Sequence, residues 1–142
     1  MAKLRHVAMV VEEMEKTAKF YEQSFGMKRV RESPTAIGLS DGVVSLVIIH
    51  PSNVNMKGES RRGLHHLGFL IDDMEAVSAQ VEANGAEYKG EILGTGRGPM
   101  TERKYVDPNG SMFDITTAQH ARETWQIAVA APASPAEGSI AR

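Results

Sequence analysis

Two histidines stand at equivalent positions in two similar segments of this 142-residue chain. His6 lies in the segment LRHVAMVVEEME and His66 in the segment LHHLGFLIDDME, and the two segments align throughout at the offset that separates the histidines. Leu, His, Met and Glu recur identically, while apolar and acidic positions keep their character. Such repetition predicts two copies of one structural unit, with the histidines placed where the two units meet.

A carboxylate on the last predicted strand completes a candidate metal site. Because side chains alternate between the faces of a strand, His6, His66 and Asp114 all lie opposite the large apolar rows of their strands. Two imidazoles and one carboxylate on a single face are a suitable ligand set for a divalent metal. A single histidine on a strand is more often structural, but the repeat and the aspartate favour a metal. Around one ion at ~2.0–2.2 Å, the ligating atoms should lie within roughly 3–4 Å of one another.

Apolar periodicity predicts the elements that position these groups. Each unit begins with a strand, continues with an amphipathic helix that ends at a glycine, and then shows the pattern of three further strands. The predicted fold class is α+β, with two tandem β-α-β-β-β modules whose partly open mixed sheet lines a cleft. The predicted boundaries are one domain over residues 1–122, with module one at 3–50, a linker at 51–63, module two at 64–118, and a flexible Ala/Pro-rich tail at 128–142.

The composition excludes several classes of protein. The 16 basic and 18 acidic residues give a net charge of −2, so no basic surface for nucleic acid is expected. The chain has no cysteine, which excludes disulfides and thiolate catalysis and favours a cytoplasmic location. The longest apolar run near the start, Val7 to Val11, is too short for a membrane span. The sequence therefore predicts a cytoplasmic protein whose partner is a small molecule, with no nucleic acid and no membrane.

Other polar side chains are secondary candidates for contact with a substrate. His50 is predicted either to act as an acid or base at the mouth of the cavity or to be a solvated residue at a loop edge. Arg97 lies in a glycine-rich loop that is either a lid carrying it to an anionic substrate or a plain linker. Arg103 and Lys104 are candidates for binding a substrate carboxylate, and Lys104 is also a candidate catalytic residue, although most such charges on strands are simply solvated. Alternation turns His65 outward, so we expect it either to lie at the surface or to support the neighbouring ligand His66 from behind.

Three segments of the sequence carry a family resemblance. HVAMVVEEMEKTAKFYEQSFGM, HHLGFLIDDMEAV and DPNGSMFDI, together with the paired modules, resemble the vicinal oxygen chelate superfamily. That superfamily contains glyoxalase I, methylmalonyl-CoA epimerase, extradiol dioxygenases and bleomycin- or fosfomycin-resistance proteins. The resemblance spans about residues 3–118 and is specific for the fold but not for one reaction. It implies a divalent metal bound by His6, His66 and Asp114.

The resemblance also implies a fourth ligand position in module one. Aligning Asp41 with Asp107 places this position at Ile48, beside the substrate, where glyoxalase- and epimerase-like members carry Glu, Gln or His. Because Ile48 cannot bind a metal, the three-ligand site slightly favours dioxygenase chemistry with Fe2+, and Mn2+, Zn2+, Ni2+ or Co2+ remain alternatives. Two features of the sequence argue against dioxygenase chemistry. Asp114 is shorter than the usual Glu, and Lys104 stands where extradiol enzymes carry a tyrosine.

Two other functions therefore stay open. One is a lyase or epimerase of the glyoxalase type that uses the metal as a Lewis acid. The other is a non-catalytic protein that binds an antibiotic, which would favour an aromatic-lined cavity, whereas aromatic residues make up only 6% of this chain. The resemblance further implies a homodimer, with Trp125 and the start of the tail as candidate contacts. His120, beyond the last strand, is expected at the surface.

Overall fold

A computed structural model describes residues 1–92 and 102–129. It contains two helices, α1 (Met14–Phe25) and α2 (Met74–Ala83), and a short helix α3 (Ala118–His120) that continues as a π-helical turn, Ala121–Trp125. Within these ranges, no helix has the length and apolar character needed to cross a bilayer. The strands are β1 (Lys3–Val10), β2 (Lys28–Ser33), β3 (Ala36–Ser40), β4 (Ser45–Ile49), β5 (Gly63–Ile71), β6 (Glu87–Ile92), β7 (Glu102–Val106) and β8 (Met112–Thr117).

The eight strands form one mixed sheet in the order β2-β3-β4-β1-β5-β8-β7-β6. β1 pairs with β4 in parallel and β5 pairs with β8 in parallel, so each module has the same internal arrangement. β1 and β5 pair antiparallel at the centre, which joins the two modules edge to edge within one chain. The predicted α+β fold of two β-α-β-β-β modules is confirmed.

Both long helices pack on the same face of the sheet, one over each module. α1 ends where Gly26 adopts a left-handed conformation with φ of 67°. α2 begins at Asp73, whose side chain accepts a hydrogen bond from the Ala76 N–H. The buried core under α1 consists of Ala18, Ile37, Leu39, Leu46 and Ile48. The core under α2 consists of Ile71, Tyr105 and Ile115.

The opposite face, which we call the inner face, has a glycine at its centre. His6 of β1 pairs with Gly68 of β5, and Gly68 pairs in turn with Asp114 of β8. Paired residues point to the same side of a sheet, so His6 and Asp114 flank Gly68 on the inner face. A Cβ atom at position 68 would lie 2.7 Å from His6 Cβ and 2.8 Å from His6 Cδ2. The absence of a side chain at Gly68 therefore gives the His6 ring its space.

After β8 the chain turns back across the inner face. Ala121, Trp125 and Ile127 form a third buried cluster, against which Leu70 packs. The Ser40 hydroxyl donates to the carbonyl oxygen of Gln126 at 3.1 Å. The Ala128 N–H donates to the carbonyl oxygen of Gly42 at 2.8 Å, so the first residue of the predicted tail is tied to the β3–β4 turn. The rest of that tail, from residue 130 on, lies outside the described residues.

Substitution of Gly68 should disturb both the sheet and the His6 ring. We expect Gly68→Ala to lower the free energy of unfolding by about 1–3 kcal/mol, because the added methyl group overlaps the His6 side chain. Gly38→Ala is the matched control, since a Cβ at this β3 glycine would meet its nearest atom, Arg31 Cβ, at 3.4 Å. The control should change stability by no more than about 0.5 kcal/mol. Urea denaturation measures both values, and equal losses in the two variants would contradict the close approach at Gly68.

Candidate metal centre

Three side chains converge on the inner face at the centre of the sheet. His6 Nε2 lies 3.3 Å from His66 Nε2, and His66 Nε2 lies 3.1 Å from Asp114 Oδ2. One ligand atom from each of the three residues lies within 4.8 Å of the other two. His6 is 3% exposed and Asp114 is fully buried. The structure brings the three groups together within 4.8 Å rather than the roughly 3–4 Å expected around a bound ion, and their binding of a metal remains a prediction.

The donor atoms of this cluster fit a divalent cation. Lys104 Nζ donates to Asp114 Oδ1 at 2.8 Å. The other carboxylate oxygen, Oδ2, is buried and accepts no hydrogen bond from the described residues, although His66 Nε2 is near it. A buried acceptor without a partner costs about 1–3 kcal/mol. A cation placed among Asp114 Oδ2 and the two imidazole nitrogens would satisfy all three groups.

Burial and nearby charges keep these ligands in the protonation states that a metal needs. Burial lowers the pKa of His6 to about 3, so its ring is neutral at neutral pH. Burial alone would raise the pKa of Asp114. The Lys104 ammonium group, which donates to Oδ1, opposes that effect, and the pKa of Asp114 lies below its usual value. The aspartate is therefore ionised and the histidine nitrogen is free to donate its lone pair.

The metal-free protein should lose stability in mild acid. The pKa of His6 is about 3 when folded and 6.5 when unfolded, so between these values the unfolded chain binds more protons. As the pH falls from about 6.5 to 4, His6 alone should lower the free energy of unfolding by up to about 1.4 kcal/mol per pH unit. Urea denaturation of chelator-treated protein across this range measures the slope. His6→Gln should reduce it and His50→Gln should keep it; the same slope in His6→Gln would contradict this assignment.

Each histidine of the cluster has a partner on its second ring nitrogen. His6 Nδ1 lies 3.1 Å from Ser45 Oγ, since the register of β1 and β4 places these two residues side by side. His66 Nδ1 lies 2.7 Å from the Nδ1 atom of its neighbour His65. Partners of this kind fix the orientation of a ligand ring and strengthen its bond to the metal.

A β-bulge brings His65 beside His66. Ala8 pairs with His66, but the next residue of β1, Met9, pairs with Leu64, so His65 is the additional residue in β5. A bulge of this kind re-aims a side chain, and His65 is buried rather than at the surface. The prediction that His65 faces outward was wrong, because strict alternation along one strand does not reveal a bulge.

The fourth position of the site is Val47, and the prediction of Ile48 was wrong. Asp114 pairs with Gly68, and Val47 pairs with Ala8, the residue of β1 that corresponds to Gly68. Val47 therefore occupies the position in module one that Asp114 occupies in module two. Ile48 points to the other face and is buried in the core under α1. The inference that no protein ligand stands at this position is unchanged, since valine has no donor atom.

A difference in turn length explains the error of one residue. The Asp41 N–H donates to the carbonyl oxygen of Val44, whereas the Asp107 N–H donates to that of Ser111. The turn of module one is thus one residue shorter than the turn of module two. An alignment of the two modules that starts from Asp41 and Asp107 is therefore wrong by one residue at every position of β4.

Of the remaining residues that the sequence suggested for the site, only some lie near the cluster. Lys104 lies at the site, on the carboxylate of the cluster. Arg103 lies on the helix-covered face, where it donates to Ser78 Oγ of α2 at 2.8 Å, so we do not include it among substrate contacts. His50 follows β4, and its ring nitrogen lies 2.7 Å from the hydroxyl of a serine two residues on. Arg97 lies outside the described residues.

The aromatic cover of the site was missed by the sequence analysis. The Trp125 ring stacks on the His6 ring with a centroid distance of 4.6 Å and an interplanar angle of 9°. Its Nε1–H donates to Glu102 Oε1 at 3.2 Å, and His120 Nε2 lies 2.8 Å from the same oxygen. His120 is buried, so its predicted place at the surface was wrong. Trp125 is 1% exposed within a single chain and is not a dimer contact; the homodimer itself stays a prediction.

The sequence matches a known protein family and a curated protein. The family described as Glyoxalase/Bleomycin resistance protein/Dioxygenase superfamily matches residues 3–115. The lactoylglutathione lyase of Schizosaccharomyces pombe is 25% identical over 116 residues, which cover 61% of this chain and 38% of that enzyme. The chain thus matches well under half the length of this curated relative.

Solved structures of two differently acting proteins are similar to this fold. Methylmalonyl-CoA epimerase from Mycobacterium tuberculosis superposes with a TM-score of 0.61 at 16% identity, covering 80% of this chain and 86% of the epimerase. A variant of homoprotocatechuate 2,3-dioxygenase from B. fuscum superposes with a TM-score of 0.62 at 18% identity, covering 81% of this chain and 32% of the dioxygenase. At these identities the likeness shows the fold alone.

Proposed function

This chain belongs to the glyoxalase/bleomycin resistance protein/dioxygenase superfamily, and from that premise we propose that it is a metal-dependent enzyme acting on a small oxygenated substrate. The observation that carries the proposal is the buried cluster of His6, His66 and Asp114, in which Asp114 Oδ2 lacks a hydrogen-bond donor among the described residues. Structural ion pairs seldom leave a buried carboxylate oxygen unsatisfied. The two nitrogens and this oxygen form the ligand set of a divalent-metal site.

The described residues have distinct parts in the mechanism. A divalent metal at the cluster would act as a Lewis acid on neighbouring oxygens of the substrate. Lys104 keeps Asp114 ionised and orients its carboxylate, so that Oδ2 faces the two histidines. Trp125 covers the His6 ring and excludes water from that side, which strengthens every electrostatic interaction in the site.

The surface beside the cluster favours a small anionic substrate. A recess of about 550 Å³ lies between the linker and the β7–β8 turn, and its walls include Glu59, Arg61, Val106 and Met112. Met112 lies on β8 two residues before Asp114. Arg61 is exposed and supplies a positive charge for a carboxylate. The recess therefore offers an apolar wall and both a cationic and an anionic side chain, two residues along β8 from the proposed ligand Asp114.

We place dioxygenase chemistry with Fe2+ slightly ahead of lyase or epimerase chemistry. Val47 leaves the fourth position without a protein donor, so more sites remain for a diol and for oxygen than in a four-ligand centre. The lyase alternative is supported by the sequence similarity to lactoylglutathione lyase and by Lys104 at the position where extradiol enzymes carry a tyrosine. A non-catalytic antibiotic-binding protein is the third possibility, and it would need no metal.

Metal binding can be followed with the only tryptophan of the chain. Because the Trp125 ring stacks on His6, a bound Co2+ should quench its fluorescence. We expect saturation at one equivalent of Co2+, recovery of the fluorescence when excess Zn2+, which does not quench, displaces Co2+, and loss of saturable quenching in His6→Ala and Asp114→Asn. His50→Ala is the control and should bind as the wild type does. A wild-type protein that binds neither metal would point to the non-catalytic function instead.

Substitution of Val47 distinguishes the two chemistries. Val47→Glu supplies a fourth ligand, so it should tighten Zn2+ or Ni2+ binding by at least about tenfold, or 1.4 kcal/mol. It should also block a coordination position, which would lower oxygen uptake with vicinal diols but spare a Lewis-acid isomerisation. Ile48→Glu is the matched control: it buries a carboxylate under α1 and should destabilise the fold by more than about 3 kcal/mol without tighter metal binding. Higher turnover in Val47→Glu would reverse our order of the two chemistries.

A further inference from the structure

A continuous set of hydrogen bonds leads from the candidate metal centre to the linker between the modules. His66 Nδ1 lies 2.7 Å from His65 Nδ1. On the other side of the same ring, His65 Nε2 lies 2.8 Å from Glu59 Oε2. The His65 ring is buried, whereas the Glu59 side chain is 42% exposed and lines the recess beside the site. The linker thus contributes a carboxylate that reaches His66 through one intervening ring.

The carboxylate sets the direction of both hydrogen bonds. An ionised Glu59 only accepts, so His65 Nε2 must carry the hydrogen and donate it. A neutral imidazole that donates from Nε2 accepts at Nδ1, and therefore His66 Nδ1 must donate to His65. The nitrogen of His66 left for a metal is then Nε2, the atom that faces His6 Nε2 and Asp114 Oδ2.

The first histidine of the cluster lacks this constraint. The partner of His6 Nδ1 is the hydroxyl of Ser45, and a hydroxyl group both donates and accepts. Ser45 therefore holds the orientation of the His6 ring without selecting its tautomer. The selection of a tautomer by a carboxylate is specific to His66.

The backbone of the linker is shaped to place Glu59. Met56, at the end of a 3-10 turn (Val54–Met56), is buried and anchors the segment. Lys57 and Gly58 follow with positive φ values of 50° and 78°, and the Glu59 N–H donates to the carbonyl oxygen of Met56 at 2.9 Å. A non-glycine residue at positive φ is uncommon and carries a small energetic cost. This strained reversal directs the chain back toward β5, so that Glu59 lies next to His65.

We propose that Glu59 and His65 are positioning residues, which fix the Nδ1–H tautomer and the ring orientation of His66 and thereby strengthen its bond to the metal. The inference rests on the proposed metal-dependent function and extends it from the sheet to the linker. Partners of this kind typically change metal affinity by roughly 10- to 100-fold. His65 should lie in that range, and the half-exposed Glu59 should have the smaller effect because solvent screens its charge.

The test is the affinity of the full-length protein for Zn2+, measured by competition with a chromophoric chelator. We expect His65→Ala to weaken binding by roughly 10- to 100-fold and Glu59→Ala by roughly 3- to 10-fold. Glu59→Gln and His65→Gln retain an acceptor at the same place, so each should recover part of the loss. In the zinc-loaded protein labelled with 15N-histidine, a coupling across the hydrogen bond between the Nδ1 atoms of His66 and His65 should be present in the wild type and absent from His65→Ala.

Glu12→Ala is the matched control for disturbance of the linker. Arg62 Nη2 binds Glu12 Oε1 at 3.0 Å, which ties the same linker to the domain at a separate point. Wild-type affinity in Glu12→Ala with weaker binding in Glu59→Ala supports a positioning role, whereas equal losses overturn it. Unchanged affinity in both Glu59→Ala and His65→Ala overturns the inference and leaves the metal site standing. A wild-type protein that does not bind Zn2+ overturns both the inference and the proposed function.

Discussion

Pairing between β1 and β5 joins the two modules, and every group of the candidate centre takes its position from that pair of strands. His6 belongs to one strand and His66 to the other, and Asp114 reaches them from β8, the parallel neighbour of β5. Neither module alone holds more than two of the three groups. The absence of a side chain at Gly68 then leaves the space that the His6 side chain occupies. The centre is thus a property of the interface between the modules.

Each buried polar group near the candidate centre needs a hydrogen-bond or ion-pair partner to offset the cost of its burial. The Lys104 ammonium group balances the buried Asp114 carboxylate, and Glu102 accepts hydrogen bonds from Trp125 and from His120. Buried charges without such partners are costly, and proteins usually neutralise or pair them. Among the three residues of the cluster the exception is Asp114 Oδ2, which lies 3.1 Å from His66 Nε2. The lack of a donor from the described residues at this buried oxygen therefore indicates where a cation would bind.

Local patterns were sufficient to predict the modules and the three residues of the cluster. Alternation along single strands placed His6, His66 and Asp114 on one face, and helical periodicity placed α1 and α2 on the other. The errors occurred where pairing between strands decides the outcome. The bulge at His65 and the shorter turn before β4 depend on how two strands align, and a single sequence carries little signal of either. Stacking of Trp125 on His6 joins residues far apart in the sequence, so no local pattern could have indicated it.

The arrangement of the candidate ligands and the burial of His6 depend on different parts of the chain, and the segment that follows β8 contributes to the second. The proposed ligands and their geometry come from the sheet, whereas Trp125, which stacks on the His6 ring and contributes to its burial, lies on a stretch of chain outside both modules. The low proton affinity of His6 is mainly an effect of that burial. Sequence changes after residue 118 can therefore adjust the acidity and solvation of the centre while the ligand set stays constant. In evolutionary terms, this short segment can vary under selection for reactivity without disturbing the residues that we propose as metal ligands.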